Sequence, residues 1–168
     1  MPPDVFYPDL TAPPGWPYYR QGLQIRVVPP GATLDSAEAT IVVSPLVPRQ
    51  PSTPPPEELV EDAIFAEQRT RLEVTDRKGP TKLRAASGLE GIALEIVGFV
   101  RPTGPVERRA YVMYGDALCY YAVTYLAWEQ TFARHVEAFW TVAKSVRPFR
   151  GRHIAPSGPS PLGMLYSD

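Results

Sequence analysis

The 168-residue chain has no asparagine, one cysteine and three lysines, and each shortage closes off a class of function. Without asparagine there is no N-glycosylation sequon and no asparagine-assisted site. Cys119 alone cannot build an internal disulfide framework, and it gives no sign of an oxidising compartment. Of the 17 basic residues 14 are arginine, a compositional bias that carries no functional signal. Acidic residues number 18, so the net charge of −1 creates no global field for nucleic acid or an anionic membrane. No apolar run approaches the length of a membrane-spanning helix. The opening MPPDVFYPDLTAPPGW lacks the basic and apolar regions of a signal peptide, so the expected location is the cytoplasm.

What is present fits one soluble domain with a substantial core: 44% hydrophobic and 21% charged residues. The 21 prolines are sharply partitioned, with 14 in residues 1–56, three in 57–147 and four in 148–168. Proline lacks a ladder donor and breaks helix interiors, so regular structure is expected to be richest between 57 and 147. The expected domains are an extension over 1–9, one domain over 10–150 and a Pro/Gly/Ser-rich tail over 151–168.

Strands are expected over 23–28 and 39–44, both ended by proline. Residues 45–56 read as a stiff extended connector. A helix is expected from Pro56 to about Glu73, with Leu59, Val60, Ala63 and Ile64 buried and Glu61, Glu67, Arg69 and Arg71 solvated. Asp76-Arg77-Lys78-Gly79-Pro80 reads as a turn. Strands then follow over 81–86, 91–100, 107–114 and 117–127, the last two joined by a tight Gly115-Asp116 turn. A final helix carries Phe132, Val136, Phe139, Trp140 and Ala143 in one arc. Burying that stripe contributes on the order of 10 kcal/mol before entropy is counted. The expected fold class is α+β, an antiparallel sheet packed by two main helices.

Catalytic readings are weak. Cys119 sits among large apolar residues, where a thiol behaves as a small hydrophobe. His135 flanks the final helix and His153 lies in the tail, so no cysteine–histidine pair can be argued. No metal-ligand spacing or phosphate loop occurs, and Glu57, Glu58, Glu61 and Asp62 read as a solvated ridge. Arg108-Arg109 and the trio Arg147, Arg150 and Arg152 are too few for a nucleic-acid face. No catalytic residue, cofactor or metal is therefore expected.

Tyrosines supply the strongest functional pattern. Alternation places Tyr111, Met113 and Tyr120 on one face of the last two strands, and Tyr114, Tyr121 and Tyr125 on the other. A two-residue turn would set Tyr114 opposite Ala117 and Tyr111 opposite Tyr120. One helix layer covers one face, so one of these rows is expected to be open to a partner. All six residues are partner-binding candidates.

Gly15-Trp16, the PPEELVED helix, the GLEGIALEI strand, the YVMYGDALCYYAVTYLA hairpin and the closing Ser145-Val146-Arg147-Pro148 follow a familiar order. In this pattern, over residues 10–149, the chain resembles the PsbP/DcrB-like superfamily, which includes the Eag chaperones of type VI secretion. The resemblance implies a sandwich around an antiparallel sheet and non-enzymatic binding roles. In the Eag branch, it implies a sheet surface cradling apolar effector helices and a homodimer. No family motif transfers residue by residue. The expected function is a cytoplasmic bacterial adaptor or chaperone for a protein partner, a secreted effector or an assembly component, without nucleic acid or membrane. Two alternatives stand beside it: a structural subunit held through its proline-rich termini, and a small-molecule enzyme using Cys119.

Overall fold

Short β-branched runs between prolines build the first half of the chain, and long alternating runs build the second. In the computed structural model, which describes residues 5–149, the order is β1 (Tyr18–Gln21), β2 (Gln24–Val27), β3 (Ala39–Val43), β4 (Val47–Pro48), α1 (Pro56–Thr70), β5 (Leu72–Arg84), β6 (Glu90–Val100), β7 (Val106–Gly115), β8 (Cys119–Trp128) and α2 (Phe132–Lys144). The expectations placed on residues 151–168, and on Arg150, Arg152 and His153, lie outside the described residues. All strands join one antiparallel sheet in the order β1-β2-β3-β8-β7-β6-β5, with β4 paired to the start of β8. The fold is α+β, as expected.

Two elements differ from expectation in extent. The helix stops at Thr70, and Leu72 already pairs with Val100 in the sheet. The Asp76–Pro80 stretch, expected as a turn, runs inside β5 with register shifts at Val74/Asp76 and Lys78/Thr81. β5 is an edge strand, where proline's missing donor and bulges are tolerated. Gly79 is needed there: its φ is +104°, and a Cβ would meet the Ala93 carbonyl oxygen at 2.9 Å. Residues 18–21, not anticipated as a strand, form the opposite edge.

The β7–β8 hairpin is looser than the two-residue turn expected. Asp116 accepts hydrogen bonds from the backbone N–H groups of Leu118 and Cys119 at 2.8 and 2.9 Å, and its own N–H donates to the Cys119 carbonyl. Gly115 therefore pairs with Tyr120, Tyr114 with Tyr121 and Tyr111 with Thr124. Each β7 partner lies four residues further along β8 than expected. Because four is even, every side chain keeps its expected face.

The two helices lie on opposite faces, which corrects the expectation of a sheet roofed on one side only. α2 packs Phe139, Val142 and Ala143 against Ile41, Val43, Ala110, Val112, Tyr114, Tyr121, Val123 and Tyr125. Phe139 is fully buried and stacks on Tyr125 at 5.5 Å. Residues 5–16 complete this face: Tyr7, Leu10 and Trp16 are buried, and Asp9 holds Arg147 through two hydrogen bonds of 2.8 and 2.9 Å. α1 covers the other face, where Val60 and Ile64 meet Leu72, Ile92, Leu94, Ile96 and Tyr111.

Phe139→Ala should cost about 3–5 kcal/mol in urea denaturation, the loss expected for an aromatic removed from a packed core. A pH dependence follows from the same face. Burial pushes the hydroxyls of Tyr114 and Tyr125 up to about 12. The unfolded chain releases these protons near about pH 10. Stability should therefore be intact below that value and fall as the pH rises through the folded-state values. Urea melts across this window should show the decline, and it should be shallower in a Tyr114→Phe/Tyr125→Phe variant.

Candidate functional site

The row Tyr114, Tyr121 and Tyr125 is not open to a partner. Each ring is fully buried beneath the α2 layer, and each hydroxyl is engaged within the chain. Tyr114 donates to the Ala143 carbonyl at 2.7 Å, and Tyr125 donates to the Phe132 carbonyl at 2.8 Å. Tyr121 donates to Asp116 at 2.7 Å and accepts from the Phe149 N–H at 2.7 Å. Tyr120, on the other face, is also buried and donates to the Pro54 carbonyl at 2.6 Å. These four are structural tyrosines, rings in the core with hydroxyls satisfied by the backbone or Asp116.

Tyr111 and Met113 lie on the face that α1 covers only in part. α1 packs over β5, β6 and β7, and leaves a strip of β8, β3 and β2 beside it. The strip is the floor of a groove of about 540 Å³. Pairing sets Val42, Thr124 and Tyr111 side by side across three strands, with Thr40, Leu126 and Arg109 in the next row. Val60 and Ala63 of α1 form one wall, and Leu34 and Ala37 of the β2–β3 connection contribute to the lining. Half-exposed Val47 adds an apolar surface on the same side.

One end of the groove is ionic. Arg109, one of the basic pair weighed above against a nucleic-acid face, is 4% exposed. Its guanidinium donates to Glu107 at 2.8 and 3.3 Å and to the Tyr111 hydroxyl at 3.5 Å, and lies 3.5 Å from Glu67. Arg71 donates to the other Glu107 oxygen at 2.8 Å. Glu67, expected to be solvated, is half-buried here. Burial alone would lower the Arg109 pKa, but Tyr111 and Glu107 outweigh it and hold the group above its ordinary value. Burial raises the Tyr111 hydroxyl, against the opposing pull of Arg109. Arg108, its side chain on the opposite face, sits over the Phe132 ring at 5.2 Å.

Arg26 projects into the same groove from β2. Among the described residues it has no carboxylate partner; its one hydrogen bond goes to Gln24 at 3.5 Å. Its Nε is buried without a partner. Burial, and then the neighbouring Arg109 and Arg71, lower its pKa against the opposing effect of Glu67. Neither Arg26 nor the Glu67–Arg109 contact stood out in the sequence. The available signal was parity, since Glu107 and Arg109 share the face of Tyr111 and Met113.

Cys119 is buried, and burial and then Asp116 push its thiol up, the opposite of an activated nucleophile. His135 packs edge-on to Trp16 at 5.3 Å. Among the described residues no cluster of three metal-ligating side chains occurs, and no helix is long and apolar enough to cross a membrane.

No family model matches the chain, and neither does any curated protein sequence. Among solved structures it is similar to LpqN of Mycobacterium tuberculosis, a protein involved in cell envelope biogenesis. That likeness has 15% identity, covers 88% of this chain and 87% of the other, and has a TM-score of 0.56. It is also similar to PA94 of Pseudomonas aeruginosa, at 12% identity over 80% and 98% of the two chains with a TM-score of 0.48. For the cyanobacterial PsbP of Synechocystis sp. PCC 6803 the identity is 11%, the coverage 89% and 96%, and the TM-score 0.46. The likeness to LpqN shows a shared fold.

Arg109→Met should destabilise the chain by about 3–5 kcal/mol, because it leaves buried Glu107 with only the half-exposed Arg71. Adding Glu107→Gln should recover part of the loss, as read in a double-mutant cycle by urea denaturation.

Proposed function

We propose that this chain is a cytoplasmic, non-enzymatic adaptor or chaperone that holds an apolar moiety of its cargo in the groove beside α1. The observation that carries the reading is the groove floor beside α1, where Thr124 and Leu126 are partly exposed next to buried Val42 and half-buried Met113, under a helix that buries only Val60 and Ile64. A sheet face of this size, bordered by fixed charges, is what a binding site for an apolar group requires. Cys119, buried in the core with its thiol pushed up, and half-buried His135, edge-on to Trp16, give the enzyme alternative no support. The reading of the cargo as a secreted or membrane-inserting protein rests on the family resemblance. The groove itself asks only that the part it grips be apolar.

Thr124 is the residue to test, because an indole there fills the groove from its floor. Affinity purification from the native host should compare wild type with Thr124→Trp and with Lys82→Trp on the exposed edge strand. Proteins that co-elute with wild type and Lys82→Trp should fall about tenfold with Thr124→Trp, a loss of about 1.4 kcal/mol. Thermal unfolding should be little changed. Co-elution unaffected by Thr124→Trp would overturn the proposal.

A further inference from the structure

The groove is apolar along its floor and carries a charge imbalance at one end. Three guanidiniums, Arg26, Arg71 and Arg109, face two carboxylates, Glu67 and Glu107. Glu38, also in the lining, lies 3.7 Å from Arg134. Arg71 and Arg109 are paired with Glu107 and Glu67, so the excess positive charge falls on Arg26. A partly buried guanidinium beside two others is poorly served by its surroundings, and an anion is the partner that would improve them. The groove volume, about 540 Å³, lies in the range of small-molecule sites.

We infer that the groove is a site for a single-chain carboxylate, with the acyl chain on Val42, Met113, Thr124 and Leu126 and the head group on Arg26. This rests on the groove being the binding site proposed above, and it names the chemistry of what is held. Carboxylate and guanidinium match as planar, bidentate partners, which gives the head a fixed place. The chain then lies along the floor, away from Glu67 and Glu107. A cationic or neutral head gains nothing at Arg26 and leaves the charge excess uncorrected.

The full chain should be titrated with octanoate, 1-octanol and octylammonium, followed by the backbone amide NMR shifts of Val42, Met113, Thr124 and Leu126. Octanoate should bind about tenfold more tightly than octanol, and octylammonium should be weakest. Arg26→Gln should bring octanoate to the level of octanol without loss of fold, and Thr124→Trp should abolish both. Equal binding of octanoate and octanol in wild type, unaltered in Arg26→Gln, would overturn the anionic head while leaving the groove as a binding site. No shift with any of the three, with cargo still lost in Thr124→Trp, would overturn the inference in favour of a polypeptide occupant. No shift with any of them, and cargo retained in Thr124→Trp, would overturn both readings.

Discussion

The pairing of β7 with β8 is the constraint on which the rest of the molecule depends. Asp116 gathers two backbone donors and the Tyr121 hydroxyl, and so fixes the hairpin at Tyr114 opposite Tyr121. From that pairing, alternation sends Tyr114, Tyr121 and Tyr125 to one face, and Glu107, Arg109, Tyr111 and Met113 to the other. The first set makes the principal core beneath α2. The second set meets α1 on one side and forms part of the groove on the other. A one-residue slip of β7 would turn Glu107 and Arg109 toward the α2 core and take Tyr114 out of it.

The faces differ because the two helices differ in what they can bury. α2 has a stripe ending in Phe139, Val142 and Ala143, and the segment around Leu10 and Trp16 extends its coverage. α1 places Phe65 in solvent at 60% exposure and buries only two side chains. Ion pairs help to hold it: Arg77 on β5 binds Glu61, and Glu67 reaches Arg109. Exposed pairs of the first kind contribute little. The Glu67–Arg109 contact is more enclosed, and it joins the helix to the charged end of the groove.

Much of this fold was legible in the sequence. Element order, the two faces of the hairpin and the stripe of α2 follow from period-2 and period-3.6 spacing, which tertiary context rarely overrides in long elements. The exact pairing was not legible, because it depends on what the Asp116 side chain bonds, and two turn lengths of equal parity fit the same alternation. β5 was misread through its Asp-Arg-Lys-Gly-Pro stretch, since turn composition is also what an edge strand tolerates. The open tyrosine row failed for a different reason. Periodicity places a helix on a sheet, but it does not say which face, and a second helix on the second face left no aromatic row free.

The charged end of the groove was the least legible part, and its composition has a physical consequence. A buried arginine paired with a carboxylate, as Arg109 is with one oxygen of Glu107, is seldom a net source of stability, because the desolvation of both groups offsets their attraction. Two well-packed apolar residues at Glu107 and Arg109 would serve folding about as well. What the ionic arrangement does supply is direction: Arg109 is pinned by Glu107, Glu67 and Tyr111, and cannot swing to meet an incoming group. Arg26 has no such restraint beyond Gln24. The fixed pairs thus define a polar boundary to the apolar floor, and Arg26, without a carboxylate partner among the described residues, stands at that boundary.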